Sequence, residues 1–206
     1  MIKAAITGGI ACGKSTVLRM FAAEPHVAVL SADEVVHQLY EPGEAVHEQV
    51  VAEFGRGILD RRGRIDRRKL ADAAFQGPER RKKLESIVHP AVIDYEIAWL
   101  RGLEDSDPTT KLAVIEVPLL FEAKSEGKFQ KTIAVTCAPE KKLARFLARH
   151  PELKPEEAKR ELERRAASQL ADAEKARRAS FVIDNSGEEE ATRAQVHKVY
   201  EELTRG

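Results

Sequence analysis

The sequence predicts an α/β fold built on one parallel sheet, and three observations carry that expectation. Five short apolar runs are spread along 206 residues. Segments with helical apolar spacing separate them, the pattern of β-α-β crossovers. The first run opens directly into a glycine-rich turn and then a helix. The runs are Ile2 to Thr7, Val27 to Ser31, Leu112 to Val117, Thr132 to Cys137 and Phe181 to Asp184.

Taken in order, the first run is a buried strand. It leads into Gly8-Gly9-Ile10-Ala11-Cys12-Gly13-Lys14-Ser15, which fits G-x-x-x-x-G-K-[ST]. Four fixed positions match by accident in about one chain in a hundred of this length, and strand, loop, helix is the context that confirms the motif. Val17, Leu18 and Phe21 supply the helix's apolar face. After the second strand, Ala32 to Lys111 is too long for one crossover helix. Helical spacing covers Glu44 to Phe54, Arg67 to Phe75, Pro78 to Val88 and Pro90 to Leu100, so a helical insertion is predicted. Pro90 suits a first helical position, with His89 near the cap. Glu104 to Pro108 reads as a polar loop back to the sheet. Beyond the fourth strand, Glu140 to Arg149 is one helix. Pro155 opens another to about Arg178, with Asp172 as a point of interruption. Ala158, Leu162, Ala166 and Leu170 make a thin apolar stripe among pairs such as Glu156–Arg160 and Glu161–Arg165. That pattern suits a solvated surface helix or a mobile lid.

Composition narrows the class. Thirty-four basic residues balance 34 acidic ones, so no broad nucleic-acid surface is expected. No apolar stretch reaches the roughly 18 residues of a membrane helix, and the chain enters a strand at once, without a signal peptide. Cys12 and Cys137 have no metal-ligand spacing and read as reduced thiols, which points to the cytoplasm. No repeats, low-complexity tracts or obligate protein partner are evident.

The loop's chemistry is nucleotide binding. The amides of Gly9, Ile10, Ala11, Cys12, Gly13, Lys14, Ser15 and Thr16 cradle phosphates, Lys14 reaches the β- and γ-phosphates, and Ser15 ligates Mg²⁺. The loop alone does not separate a kinase from a GTPase, an ATPase or a transporter subunit. Asp33 stands just past the second strand, where ligands bind in open parallel sheets. It can accept a proton from an attacking hydroxyl, or merely cap the helix beginning near Glu34. Glu116, near the end of the third strand, is placed for the metal shell, directly or through water, with Glu122 as the alternative. Arg145 and Arg149 share a helix face, which suits a phosphoryl transition state or plain solvation. Asp60-Arg61-Arg62-Gly63 matches the D-x-x-G of GTPase switches, but no N-K-x-D segment occurs. Cys12, near a helix N-terminus, is either a readily oxidised thiol or an inert serine substitute.

With these residues assembled, the chain resembles the dephospho-coenzyme A kinases nearly end to end. The resemblance rests on Thr7-Gly8-Gly9-Ile10 with Gly13-Lys14-Ser15-Thr16, on Ala32-Asp33 and Glu41-Pro42-Gly43, and on Ile65-Asp66-Arg67 with Leu70. It continues through Leu84-Glu85 and His89-Pro90, Val117-Pro118-Leu119-Leu120-Phe121-Glu122, then Gln169, Lys175 and Val182-Ile183-Asp184-Asn185-Ser186-Gly187. Ala11, Cys12, Ser31 and Glu116 depart from it, standing where glycine, serine, aspartate and aspartate are usual. The resemblance implies a P-loop kinase core of five parallel strands flanked by helices, in one domain. The core spans about 1–33, 111–139 and 180–206, a helical acceptor-binding insertion about 34–110 and a helical lid about 140–179. It implies ATP-dependent phosphorylation of the ribose 3′-hydroxyl of dephospho-CoA, with Mg²⁺ as cofactor. The alternative is another small-molecule P-loop kinase, such as a nucleoside monophosphate kinase. Asp33 becomes the catalytic base beside Lys14, and Arg149 a lid arginine on the phosphates, with Arg145 a weaker companion. Asn185 falls near the adenine. Thr7, Asp33, Arg67 and His89 fall to the acceptor.

Overall fold

The computed structural model describes residues 1–205. Five strands, β1 (Ile2–Gly8), β2 (Val27–Leu30), β3 (Leu112–Glu116), β4 (Lys131–Thr136) and β5 (Phe181–Asp184), lie within a residue or so of the predicted runs. They pair in the order β2-β3-β1-β4-β5, with every pair parallel. Such strands are covered on both faces, so they read as continuous apolar runs, not as alternating ones. β1 is central, and its pleat still divides the core. Ala4 and Ile6 join the cluster under α1 (Lys14–Ala22), which holds Val17, Leu18 and Phe21. Ala5 packs with Leu120 and Phe121 in a separate cluster.

The chain divides into two compact units, Met1–Ser31 with Glu104–Gly206, and Ala32–Leu103. The first holds the sheet, α1, and α6 (Pro139–Arg149), α7 (Pro155–Ala166), α8 (Asp172–Arg178) and α9 (Glu189–Thr204). α9 adds to the predicted elements. Thr192, Val196, Val199 and Leu203 form its buried stripe, at near-helical spacing. The second unit holds α2 (Ala32–Leu39), α3 (Ala45–Phe54), α4 (Arg67–Ala74) and most of α5 (Pro78–Ser106).

Three expectations change. The predicted junction at His89-Pro90 is absent: α5 runs unbroken from Pro78 to Ser106 with Pro90 inside it. Leu84, Val88, Val92, Tyr95 and Trp99 form one partly covered stripe across the proline, and that spacing holds the helix through the backbone bond Pro90 cannot make. Glu104 to Ser106 are therefore helical, not loop. The helix from Pro155 is interrupted as Asp172 suggests, but ahead of that residue: α7 ends at Ala166, α8 begins at Asp172, and in the turn between them the Glu122 carboxylate accepts the N–H of Leu170 at 2.9 Å. Finally, α2 starts at Ala32, so Asp33 lies in its first turn and is not the cap residue.

Candidate active site

The glycine loop leaves the carboxyl end of β1. Gly13 is the residue before α1, at φ +91°, and its carbonyl accepts the N–H groups of Thr16 and Val17 at 3.0 and 3.1 Å. A Cβ at Gly13 would collide with the Asn185 amide, so glycine is required there by space and by backbone angle. Ala11, where a glycine is usual, adopts the left-handed region at φ +57°. Its methyl is buried with Phe146 and Ala158 of α6 and α7. Lys14 bends over the loop, its Nζ donating to the carbonyls of Gly8 and Gly9 at 3.1 and 3.0 Å. Ser15 is exposed and Thr16 half-buried. Cys12 has no exposed surface, which supports its reading as an inert filler.

The underside of the loop is clamped. Asn185, just past β5, is 3% exposed. Its Nδ2 donates to the Cys12 carbonyl at 2.9 Å, and its Oδ1 accepts from Thr192 Oγ1 at 3.2 Å. The resemblance sends this side chain to the adenine; the structure has it holding the loop from below. Arg145 joins it, donating through Nη1 to the same carbonyl at 3.0 Å and to Cys137 Sγ at 3.2 Å, and through Nη2 to the Asn185 carbonyl at 3.0 Å. Of the two arginines on that helix face, Arg145 is the one on the loop; Arg149 is exposed. Burial pushes the Cys137 thiol above its ordinary value, against the pull of the Arg145 charge.

Acidic groups gather at the strand ends. Glu116 closes β3 in register with Ile6 of β1 and is 4% exposed. Ser31 Oγ donates to its Oε2 at 3.4 Å. Thr7 is fully buried, its hydroxyl donating to the Pro118 carbonyl at 3.2 Å, so it ties β1 to the turn after β3 and offers no surface to an acceptor. Glu122 accepts from Lys175 Nζ at 2.9 Å, and Lys175 is 1% exposed. Burial pushes the Glu122 carboxyl up, but the Lys175 ammonium and backbone N–H donors outweigh it and hold the group below its usual value. Glu122 thus serves the loop's surroundings as a strut. Among the described residues no group of three or more His, Cys, Asp or Glu is arranged to hold a metal.

In the second unit, Asp33 is exposed, and its backbone carbonyl accepts from Arg67 Nη2 at 3.2 Å. Arg67 lines a cavity of about 190 Å³ with His37, Tyr40, Glu41, Asp60 and Arg64. Asp66 caps α4, accepting the N–H groups of Arg68 and Lys69. Asp60 accepts the N–H groups of Arg62 and Arg64 in a tight turn, which accounts for the D-x-x-G match without a switch. His89 is exposed in the middle of α5.

No helix is long and apolar enough to cross a membrane among the described residues. A family model described as dephospho-CoA kinase matches residues 2–191. The dephospho-CoA kinase of Aquifex aeolicus is 40% identical over 205 residues, covering 100% of this chain and 99% of the relative. A crystal structure from Thermus thermophilus superposes with a TM-score of 0.80 at 32% identity, covering 100% of this chain and 98% of that one. The dephospho-CoA kinase from Campylobacter jejuni does so at 0.65 and 27%, covering 99% and 98%. A match of this length, with a relative 40% identical over the whole chain, makes the chain a member of the dephospho-CoA kinase family.

Proposed function

We propose that this chain transfers the terminal phosphoryl group of ATP to the ribose 3′-hydroxyl of dephospho-CoA, giving coenzyme A and ADP, the last step of coenzyme A biosynthesis. The observation that carries the reading is the family match over residues 2–191, which includes the intact loop at the end of the central strand. Lys14 and the amides of Gly9 to Thr16 hold the triphosphate. Asn185 acts through the loop it supports, as does Arg145. Mg²⁺ usually keeps several waters and takes only one or two protein oxygens beside the substrate phosphates. An exposed Ser15 hydroxyl and a buried Glu116 carboxylate fit that demand, Glu116 directly or through water. Bound there, the ion supplies neutralisation of phosphate charge.

Asp33 accepts the proton of the 3′-hydroxyl as that oxygen attacks phosphorus in line. Two residues upstream, Ser31 marks the strand end where such ligands bind. Arg67 and His89 belong to the acceptor's contacts, and Thr7 only steadies the Pro118 turn. The α6-to-α8 segment closes as a lid, bringing Arg149 to the phosphates and excluding water as a competing acceptor. ATP and dephospho-CoA are the partners, and the two unpaired cysteines suit a cytoplasmic enzyme. Asp33→Asn tests the base: ATP binding should persist while turnover of dephospho-CoA falls about 10²–10⁴-fold. Near wild-type turnover by the purified variant removes Asp33 from that role. Phosphorylation of a nucleoside monophosphate but not of dephospho-CoA would reject the acceptor.

A further inference from the structure

A second lysine stands over the phosphate loop, outside the family's motif. Lys142 of α6 pairs with the carboxylate of Asp172, the first residue of α8. The pair is mostly covered, with side chains 18% and 27% exposed. Its position is fixed by Gly9: a Cβ there would collide with the Asp172 carboxylate, so that carboxylate rests directly on the loop. Gly9 is also where Lys14 bonds, its Nζ donating to the Gly9 carbonyl at 3.0 Å. Lys14 is the residue that reaches the β- and γ-phosphates in loops of this kind. The pair therefore stands at the terminal-phosphate end. Gly9, Ile10, Lys142, Leu162, Gln169 and Asp172 line a cavity of about 240 Å³ at this place.

The electrostatics point the same way. Burial lowers the pKa of Lys142; the thiols of Cys12 and Cys137 oppose that shift, and the smaller effects of the Lys14 and Lys175 charges add to it. Three ammonium groups thus share one small region, balanced by Asp172 and by Glu122. A partly desolvated cation beside others gains most from a multiply charged anion. Lysine, a point charge on a flexible stem, can leave one carboxylate for a nearby phosphate without its helix moving.

We propose that Lys142 is a second phosphate-binding lysine of the donor site, held at the loop by Asp172 and exchanging that carboxylate for the terminal phosphate of bound ATP. Asp172 is then a positioning residue that competes with the nucleotide for the same ammonium. This rests on the donor-site reading above. The preference it creates is for ATP over ADP, since only ATP carries the terminal phosphate.

The experiment is nucleotide binding by calorimetry, with ATP and ADP separately, on the full chain and folded variants checked by thermal unfolding. Lys142→Met should weaken ATP about tenfold, the worth of one charge-assisted hydrogen bond, and leave ADP within about twofold. Lys142→Arg should restore most of the ATP affinity. Asp172→Asn should tighten ATP several-fold, because the competitor is gone. Equal losses for ATP and ADP in Lys142→Met, or no loss, overturn the proposal and leave the pair as a strut between α6 and α8. Unchanged or weaker ATP binding in Asp172→Asn overturns the competition. Lys14→Met is the separating control: if it still binds ATP as the parent does, the donor-site reading fails, whatever Lys142 does.

Discussion

Single side chains in this protein are held at odds with their ordinary preferences. Ala11 sits at φ +57°, where an L-residue costs about 1–2 kcal/mol. Its buried methyl among Phe146 and Ala158 offsets about 0.8 kcal/mol of that. Lys175 is a harder case, because an ammonium at 1% exposure depends on its counter-ion Glu122, with the Pro118 carbonyl accepting from the same Nζ at 3.4 Å. Removing Lys175 leaves the mostly covered Glu122 carboxylate without its counter-ion, with the Leu170 N–H still donating to it. Lys175→Met should therefore lower stability by about 3 kcal/mol in denaturant titration. Adding Glu122→Gln to that variant should recover part of the loss, since an amide is less costly to cover than a carboxylate. A Lys175→Met protein as stable as the parent would show that the pair carries no weight.

Of the helices proposed as the lid, α7 is held partly by charge. Glu161 accepts from Arg164 at 2.7 Å and from Arg165 at 2.7 Å. Those arginines hold the Glu161 carboxyl at about 2, against an ordinary 4.5. A depressed carboxyl favours the folded form above its unfolded pKa and loses that contribution as pH falls through the folded one. The α7 pairs should accordingly stay intact at pH 5 and release between about 4.5 and about 2. Carboxyl NMR titration reads this directly, and a Glu161 midpoint at its ordinary value would contradict it. The break between α7 and α8 belongs to the same family of effects. Asp172 marks an interruption locally, but the partner that holds the turn, Glu122 accepting the Leu170 N–H, lies 48 residues away in sequence. Pro90 errs in the other direction, a local stop signal overridden by a covered stripe that continues past it.

The sheet places the loop on its central strand, with β3 and β4 on either side. Nucleotide bound there touches the end of the core's main ladder, so binding should be felt as stability. At ATP and Mg²⁺ near 100 times Kd, unfolding should cost about 2.7 kcal/mol more, a rise in Tm of about 5–10 °C for a chain of this size. Lys14→Met should abolish the rise in a thermal scan, and a rise that survives it would place the nucleotide elsewhere. The strands, the loop and most helix starts were legible because each is a local pattern. A buried parallel strand is a short apolar run, and a phosphate loop is eight consecutive residues, Gly8 to Ser15. Lys14 could be named as a candidate from that loop motif, and Asp33 and Glu116 from their place at strand ends. What residue order left open was which distant side chains meet the loop. Asn185 and Cys12 are 173 positions apart, Arg145 and Cys12 133, Lys142 and Asp172 30. Folding alone chose Arg145 over Arg149 for the loop, turned Thr7 inward, made Asn185 a support, and set Lys142 above Gly9. Such contacts depend on how helices pack against a sheet, and packing is a property of surfaces that no single stretch of chain carries.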